Sequence, residues 1–217
     1  MRITAEMVRK LREETGAGMM ECKSALVEAG GDAGKAKEIL RKKGLASAAR
    51  KAGRAANEGM IGNYIHPGNK VGVLVEVDCE TDFVAKTAEF QALAKDIAMH
   101  VAAASPAAAL YVAKEEVPKD VLDKELEIYR AQAAAQGKPE SVQDRIAAGK
   151  LKEYYQTFCL LEQPFVRDPK LTVGQLIQEK IAVIKENIVV RRFARFKVGE
   201  EIAAKDPGTP SAVPVGA

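Results

Sequence analysis

The stretch "EVDCETDFVAKTAEF", Glu76 to Phe90, decides how the chain is built, because a two-residue period gives way there to a helical one. Just upstream, "VGVLVEVD" (71–78) alternates and places Val71, Val73, Val75 and Val77 on one face of a strand. Downstream, Phe90, Leu93, Ala94, Ile97, Ala98 and Val101 form the apolar stripe of a helix that starts near Thr87 and is suited to cover that strand. The junction itself holds Glu80, Thr81, Asp82 and Phe83. Carboxylates beside a large aromatic on a connection fit an active site, a metal site, ordinary packing, or a wedge aimed at another protein.

Working outward, "MIGNYIH" (60–66) is short and β-like, and "PGN" (67–69) is turn chemistry, so an antiparallel hairpin is expected. Residues 1–56 read as small helices. Thr4 is an N-cap with Ile3 and Val8 stapled across it, and Val8 and Leu11 continue the buried stripe. "TGAG" (15–18) breaks that helix; Met19, Cys22 and Leu26 mark the next; "AGGD" (29–32) ends it. Asp32 caps a third helix with Ala36, Ile39 and Leu40 inward, and Gly44 is expected to stop it. "LASAARKAGRAANEG" (45–59) reads as an Ala- and basic-rich helical linker.

Beyond the junction, "VPKDVLDKELEIYRAQAAAQGKP" (117–139) and "ESVQDRIAAGKLKEYYQTF" (140–158) are two helices across a short turn, an αα-hairpin. "LLEQPFVRDP" (160–169) is expected to be extended. Thr172 and Gln175 form a capping box for a helix carrying Val173, Leu176, Ile177, Ile181 and Ile184, with Asn187 closing it. "VVRRFARFKVGE" (189–200) alternates as a third strand. The fold class is therefore α+β: three helices, then a small antiparallel three-stranded sheet packed with helices and a helical hairpin. The expected division is a three-helix module over 1–44, a helical linker over 45–58, an α+β core over 59–202 with the hairpin at about 118–158, and a disordered Pro/Gly-rich tail over 203–217.

Composition bounds the rest. At 217 residues and 47% apolar, the chain can build one or two packed domains. No apolar run is long enough to span a bilayer, and the N-terminus lacks the apolar region of a signal peptide. Three widely separated cysteines, Cys22, Cys79 and Cys159, give neither a disulfide framework nor a zinc pattern, and a cytoplasmic protein with reduced thiols is expected. Charge is uneven. Residues 1–57 hold 13 Lys/Arg against 7 Asp/Glu, a net of +6, which leaves −3 for the remainder of a chain that totals +3. A basic head fits a solvated helical face, a nucleic acid, or an acidic protein surface.

Motifs for chemistry are scarce. Glu76, Asp78, Glu80 and Asp82 recur every second residue, but no Gly-rich calcium loop surrounds them, and a strand edge running into a helix start accounts for them more simply. His66 and His100 stand apart without a Ser or Cys partner motif, and no phosphate loop, dinucleotide fingerprint or nucleophile elbow is present. No catalytic residue, metal ligand or cofactor is expected. Met19 and Met20 are adjacent, and neighbours on a helix point about 100° apart, so both cannot face a small core equally. The pair fits loose packing or an adaptable contact for a partner. Phe83 fits a satellite core residue or a binding anchor.

The head "LREETGAGMMECKSAL" (11–26), the junction "VDCETDFVAKTAEFQALAKDIAMH" (77–100), "LLEQPFVRDPKLTVGQLI" (160–177) and "RFKVGE" (195–200) together resemble the elongation factor Ts family of bacterial-type guanine-nucleotide exchange factors. The resemblance runs from Met1 to about Ile202, and "TGAGMM" followed by "TDFVA" is highly specific. It implies a partner, elongation factor Tu, both GDP-bound and nucleotide-free, and a ubiquitin-associated-like head that docks on that partner's GTPase domain. It places Met19, Met20, Arg12 and Lys23 on the docking surface, with Lys51 in the linker beside it. Asp82 and Phe83 match a pair that reaches toward the partner's magnesium and phosphate site, and His100 matches a helix position near the partner's other domains. Longer family members carry a duplicated core; here one unit serves for both, and the "AKDIAMHVAA" helix resembles the second copy's. The resemblance implies no membrane and no direct nucleic acid. Open sheet edges in a single unit point to a homodimer through the core. The competing classes are a basic nucleic-acid-binding protein and, third, a metal-dependent hydrolase.

Overall fold

The computed structural model describes residues 3–200. The expectation of a disordered tail over 203–217 lies outside the described residues.

Three helices open the chain: α1 (Ala5–Thr15), α2 (Met19–Glu28) and α3 (Ala33–Lys51). Thr4 caps α1, its hydroxyl accepting from the Met7 amide, and Gly16 closes it in the left-handed region. Asp32 caps α3 through the Lys35 amide. Val8, Leu11, Cys22, Ala25, Leu26 and Ala36 form a small core of their own, with Ile3, Ile39 and Leu40 packed around it.

The sheet follows. Strand β1 (Glu58–Ile65) pairs antiparallel with β2 (Val71–Cys79), and the expected hairpin is present. A single turn of helix, α4 (Asp82–Ala85), precedes α5 (Ala88–Ala103), and then come the hairpin helices α6 (Lys119–Ala135) and α7 (Glu140–Phe158). Strands β3 (Pro164–Phe165) and β4 (Asp168–Thr172) make a minimal ribbon, helix α8 (Val173–Ile184) leaves the Thr172/Gln175 capping box, and β5 (Ile188–Lys197) is the last element among the described residues. β5 returns to the far side of β2, giving the antiparallel order β1-β2-β5, with a register shift at Glu76/Val77.

Alternation in β2 buries Val73, Val75 and Val77, and α5 lays Phe90, Leu93, Ala94, Ile97, Ala98 and Val101 against them. α8 adds Val173, Ile177 and Ile181. Gly62 on β1 makes this layer close-packed, because a Cβ there would stand 2.9 Å from the Ala94 carbonyl oxygen of α5. Burying such a stripe of side chains is worth roughly 1.5–3 kcal/mol for each large residue.

Three local expectations are corrected. Gly44 does not stop α3, which runs on to Lys51 and sends Ala48 into the main core. Gly44 is instead the notch where α3 crosses α8: a Cβ there would stand 2.9 Å from the Ala182 Cβ. Asn187 does not close α8; Lys185 does, in the left-handed region at φ 70°. The segment 160–169 is not simply extended, since Leu160–Glu162 form a 3-10 turn before the β3–β4 ribbon.

Candidate partner-binding site

The junction is not an open connection. Thr81 caps the single turn α4, its Oγ1 accepting from the Val84 amide at 3.4 Å. Asp82 enters the first turn of that helix, where a carboxylate suits the exposed amides, and it pairs with Lys86 one turn on. The pairing holds the Lys86 ammonium above its ordinary value. Phe83 lies one residue further round the turn and points outward, 86% exposed. Val84 and Ala85 supply the inward contacts, so α4 sits on the core through its neighbours and offers Phe83 to solvent.

Of three consecutive residues after α8, two hold this turn and the third reaches the helical head. The Glu186 carboxylate accepts from the Glu80 amide (3.1 Å), the Thr81 amide (3.0 Å) and the Thr81 hydroxyl (2.7 Å). The Asn187 amide donates to the Glu80 carboxylate at 2.7 Å, while its buried side chain donates to the Arg54 carbonyl at 2.8 Å. Lys185 pairs with Glu21 of α2 at 2.8 Å. The other Glu21 oxygen accepts from the Gly18 amide and completes the start of α2. These two contacts hold the Glu21 carboxyl below its ordinary value, the Lys185 bond contributing most.

At that start of α2 stand Met19 and Met20, 45% and 71% exposed. Both are therefore outside the core, and Met19 does not join the stripe of Cys22 and Leu26. Arg12, in the last turn of α1, and Lys23, one turn after Met19, are also exposed.

Two expected contact residues are placed elsewhere. His100 is fully buried. Its Nδ1 accepts from the Val166 amide at 3.1 Å, so Nε2 carries the proton and donates to the Gln163 side-chain oxygen at 2.9 Å. Gln163 in turn donates to the Ala107 and Thr157 carbonyls. Burial pushes the imidazole below its usual range, against the Gln163 bond. His100 thus ties α5 to the ribbon and to the end of α7, and it presents no surface to a partner. Lys51 is likewise buried, its ammonium donating to Ser47 at 2.7 Å, and burial together with neighbouring Lys185 lowers its pKa. A pattern-based reading finds both residues by their place in a motif and is blind to which side of the helix is covered.

The alternating carboxylates are occupied by arginines. Glu76 pairs with Arg192 and Arg191, Asp78 with Arg191, and Glu80 with Arg54. Among the described residues, no group of three or more His, Cys, Asp or Glu side chains comes together as a metal site. Glu186 was invisible in the sequence as a site residue, because its partners lie more than a hundred positions upstream.

The site is thus a small α+β body bearing an exposed aromatic on a clamped turn, with a helical head that bears exposed methionines. The family model described as "Elongation factor TS" matches residues 46–200. An elongation factor Ts of Carboxydothermus hydrogenoformans is 57% identical over 204 residues, covering 94% of this chain and 93% of that one. One from Caldanaerobacter subterraneus subsp. tengcongensis is 59% identical over 200 residues (92% and 98%), and one from Anaeromyxobacter sp. strain Fw109-5 is 58% identical over 203 (94% and 91%). The chain belongs to the elongation factor Ts family and is a translation elongation factor of protein biosynthesis. No described helix is long and apolar enough to cross a membrane.

Proposed function

We propose that this chain is a guanine-nucleotide exchange factor for elongation factor Tu, acting in the cytoplasm by binding and without covalent chemistry. The observation that carries the reading is Phe83, a large aromatic held out into solvent on a turn whose first two amides are held from behind by Glu186. Solvent exposure of a phenylalanine gains nothing for folding, and an aromatic anchor on a preorganised turn is the form that interface hot spots take.

The helical head docks through Met19 and Met20, with Arg12 and Lys23 alongside, and brings α4 to the partner's nucleotide site. A nucleoside diphosphate is held by backbone donors on its phosphates and by a magnesium ion. Phe83 and Asp82 displace the elements that position that ion, and the nucleotide loosens. Coupling is reciprocal: as far as the factor weakens GDP, GDP weakens the factor, so incoming GTP releases it and the cycle turns over. The factor needs no metal or cofactor of its own. His100 and Lys51 serve from inside, holding the helices that carry these contacts.

A homodimer through the core is a second element of the reading. The face of the sheet away from α5 carries Ile61, Ile65, Leu74 and Phe196 in the open, across the register Ile65–Gly72–Phe196. A second copy laid on this face, rather than strand edge to strand edge, would cover it as in a β-sandwich. Against the nucleic-acid reading, head lysines are paired in place: Lys37 with Glu14 and Lys43 with Glu28.

The test is the release of a fluorescent GDP from elongation factor Tu with and without this protein. A large acceleration at catalytic amounts supports exchange. No acceleration, with salt-sensitive binding to generic RNA, would replace it with the basic nucleic-acid-binding reading.

A further inference from the structure

We propose that Glu186 is a positioning residue for exchange: it does not touch the partner but fixes the turn that presents Asp82 and Phe83. This rests on the exchange reading above.

Glu186 places one carboxylate on three donors from two adjacent residues, the Glu80 and Thr81 amides and the Thr81 hydroxyl. Thr81 is the N-cap of α4, so the same side chain that donates to Glu186 accepts from the Val84 amide inside the turn that carries Phe83. Isolated single turns of helix do not persist in water, since nucleation fixes several dihedrals for one hydrogen bond. α4 is four residues long, and its hold on the core runs through half-buried Val84 and buried Ala85 alone. Its beginning therefore depends on what grips Thr81.

The gripping residue is itself anchored on both sides. Lys185 takes the left-handed conformation that L side chains disfavour, and its ammonium reaches Glu21 at the start of α2. Asn187 is buried, bonded to Glu80 and to the Arg54 carbonyl. The turn 185–187 thus meets the head, the stretch after α3 and the junction at one place. An observed strained residue flanking a charge-assisted clamp, directly behind an exposed anchor, is the arrangement that holds a contact ready before binding.

Glu186→Ala should slow GDP release at saturating factor by about tenfold, the loss expected when a hydrogen bond to a charged group no longer preorganises the turn. The concentration for half-maximal effect should change little, because the head still docks. Glu186→Gln, whose amide oxygen can still accept from both backbone amides, should recover most of the rate. The double variant Glu186→Ala/Phe83→Ala should be no slower than Phe83→Ala, since a misplaced anchor and a missing one fail alike. A general loss of folding would instead multiply with the Phe83 effect and would not be rescued by Gln. In the free protein, amide exchange at Val84 and Ala85 should speed up in Glu186→Ala.

Unchanged GDP release in Glu186→Ala, multiplying losses in the double variant, or a Gln variant as slow as Ala would each overturn the proposal. If Glu186→Ala does not fold, Glu186→Asp, which withdraws the carboxylate by one methylene, takes its place with the same expectations. If the unaltered protein releases no GDP from elongation factor Tu, the exchange reading fails. The amide exchange of α4 then still decides whether Glu186 sets the turn: unchanged exchange at Val84 and Ala85 sinks the claim, and faster exchange keeps it.

Discussion

Replacing Phe83 by Ala should separate binding from folding. Phe83 is 86% exposed, so about one-seventh of its surface is hidden. A phenylalanine cut to alanine in a core costs ~3–5 kcal/mol, and in proportion to its burial this one costs roughly half a kcal/mol. Alanine's better helix propensity, by about half a kcal/mol, offsets that loss within α4. At roughly 2–4 °C per kcal/mol for a domain of this size, the melting temperature should move by no more than about 2 °C. An aromatic anchor at the centre of an interface contributes ~2 kcal/mol or more. Lost from the exchange transition state, that is about thirtyfold in rate. Phe90 supplies the control, because it is fully buried seven residues away. Phe90→Ala should lower the melting temperature by roughly 6–20 °C. The measurement is thermal unfolding beside GDP-release kinetics on the same preparations. A Phe83→Ala protein that melts many degrees lower yet exchanges normally in its folded fraction would refute the reasoning and return Phe83 to the core.

The remaining expectations concern the head, the buried histidine and the sheet. Met20→Asp should leave the melting temperature within about 2 °C. It should raise the concentration needed for half-maximal exchange by about tenfold or more, measured by titration against elongation factor Tu; unchanged titration would remove the methionine pair from the docking surface. His100 is neutral when folded and its pKa is lowered from 6.5, so the unfolded chain binds the extra proton. Stability should therefore be level above about pH 7.5 and fall as pH drops through 6.5 toward the lowered folded value. In denaturant titrations between about pH 7.5 and 5.5, His100→Gln should flatten that slope, and an unchanged slope would assign it to other groups. Phe196→Glu should hold the protein monomeric in sedimentation while leaving monomer stability within about half a kcal/mol; a monomer already in the unaltered protein at micromolar concentration would remove the self-association proposal.

Much of the fold could be read directly along the chain. The alternation of Val73, Val75 and Val77 and the stripe from Phe90 to Val101 specify a strand and a helix that bury one face each, and those faces meet. Thr4, Asp32 and Thr172 start helices in the structure as their side chains dictate. These are local matters, settled by periodicity and by oxygen atoms within three residues of an amide. The pair of motifs around Met19 and Asp82 was also legible, and it pointed to the family.

Only the tertiary structure decided the rest. Gly44 carries a stop signal, but α3 runs through it because α8 passes so close that Ala182 fills the space a side chain would need. Asn187 carries the better left-handed propensity, but Lys185 takes that conformation, because Asn187 is committed to Glu80 and Arg54. His100 sits on a helix whose stripe marks it neither inside nor outside, and the ribbon from Pro164 to Thr172 covers it. In sequence the residues around Phe83 favoured a satellite core position over an exposed anchor, and the structure places it in solvent. Val84 and Ala85 pack on the core and leave Phe83 outside, on a turn whose start Glu186 grips from more than a hundred residues away, a pairing that no local pattern encodes and only the folded chain brings about.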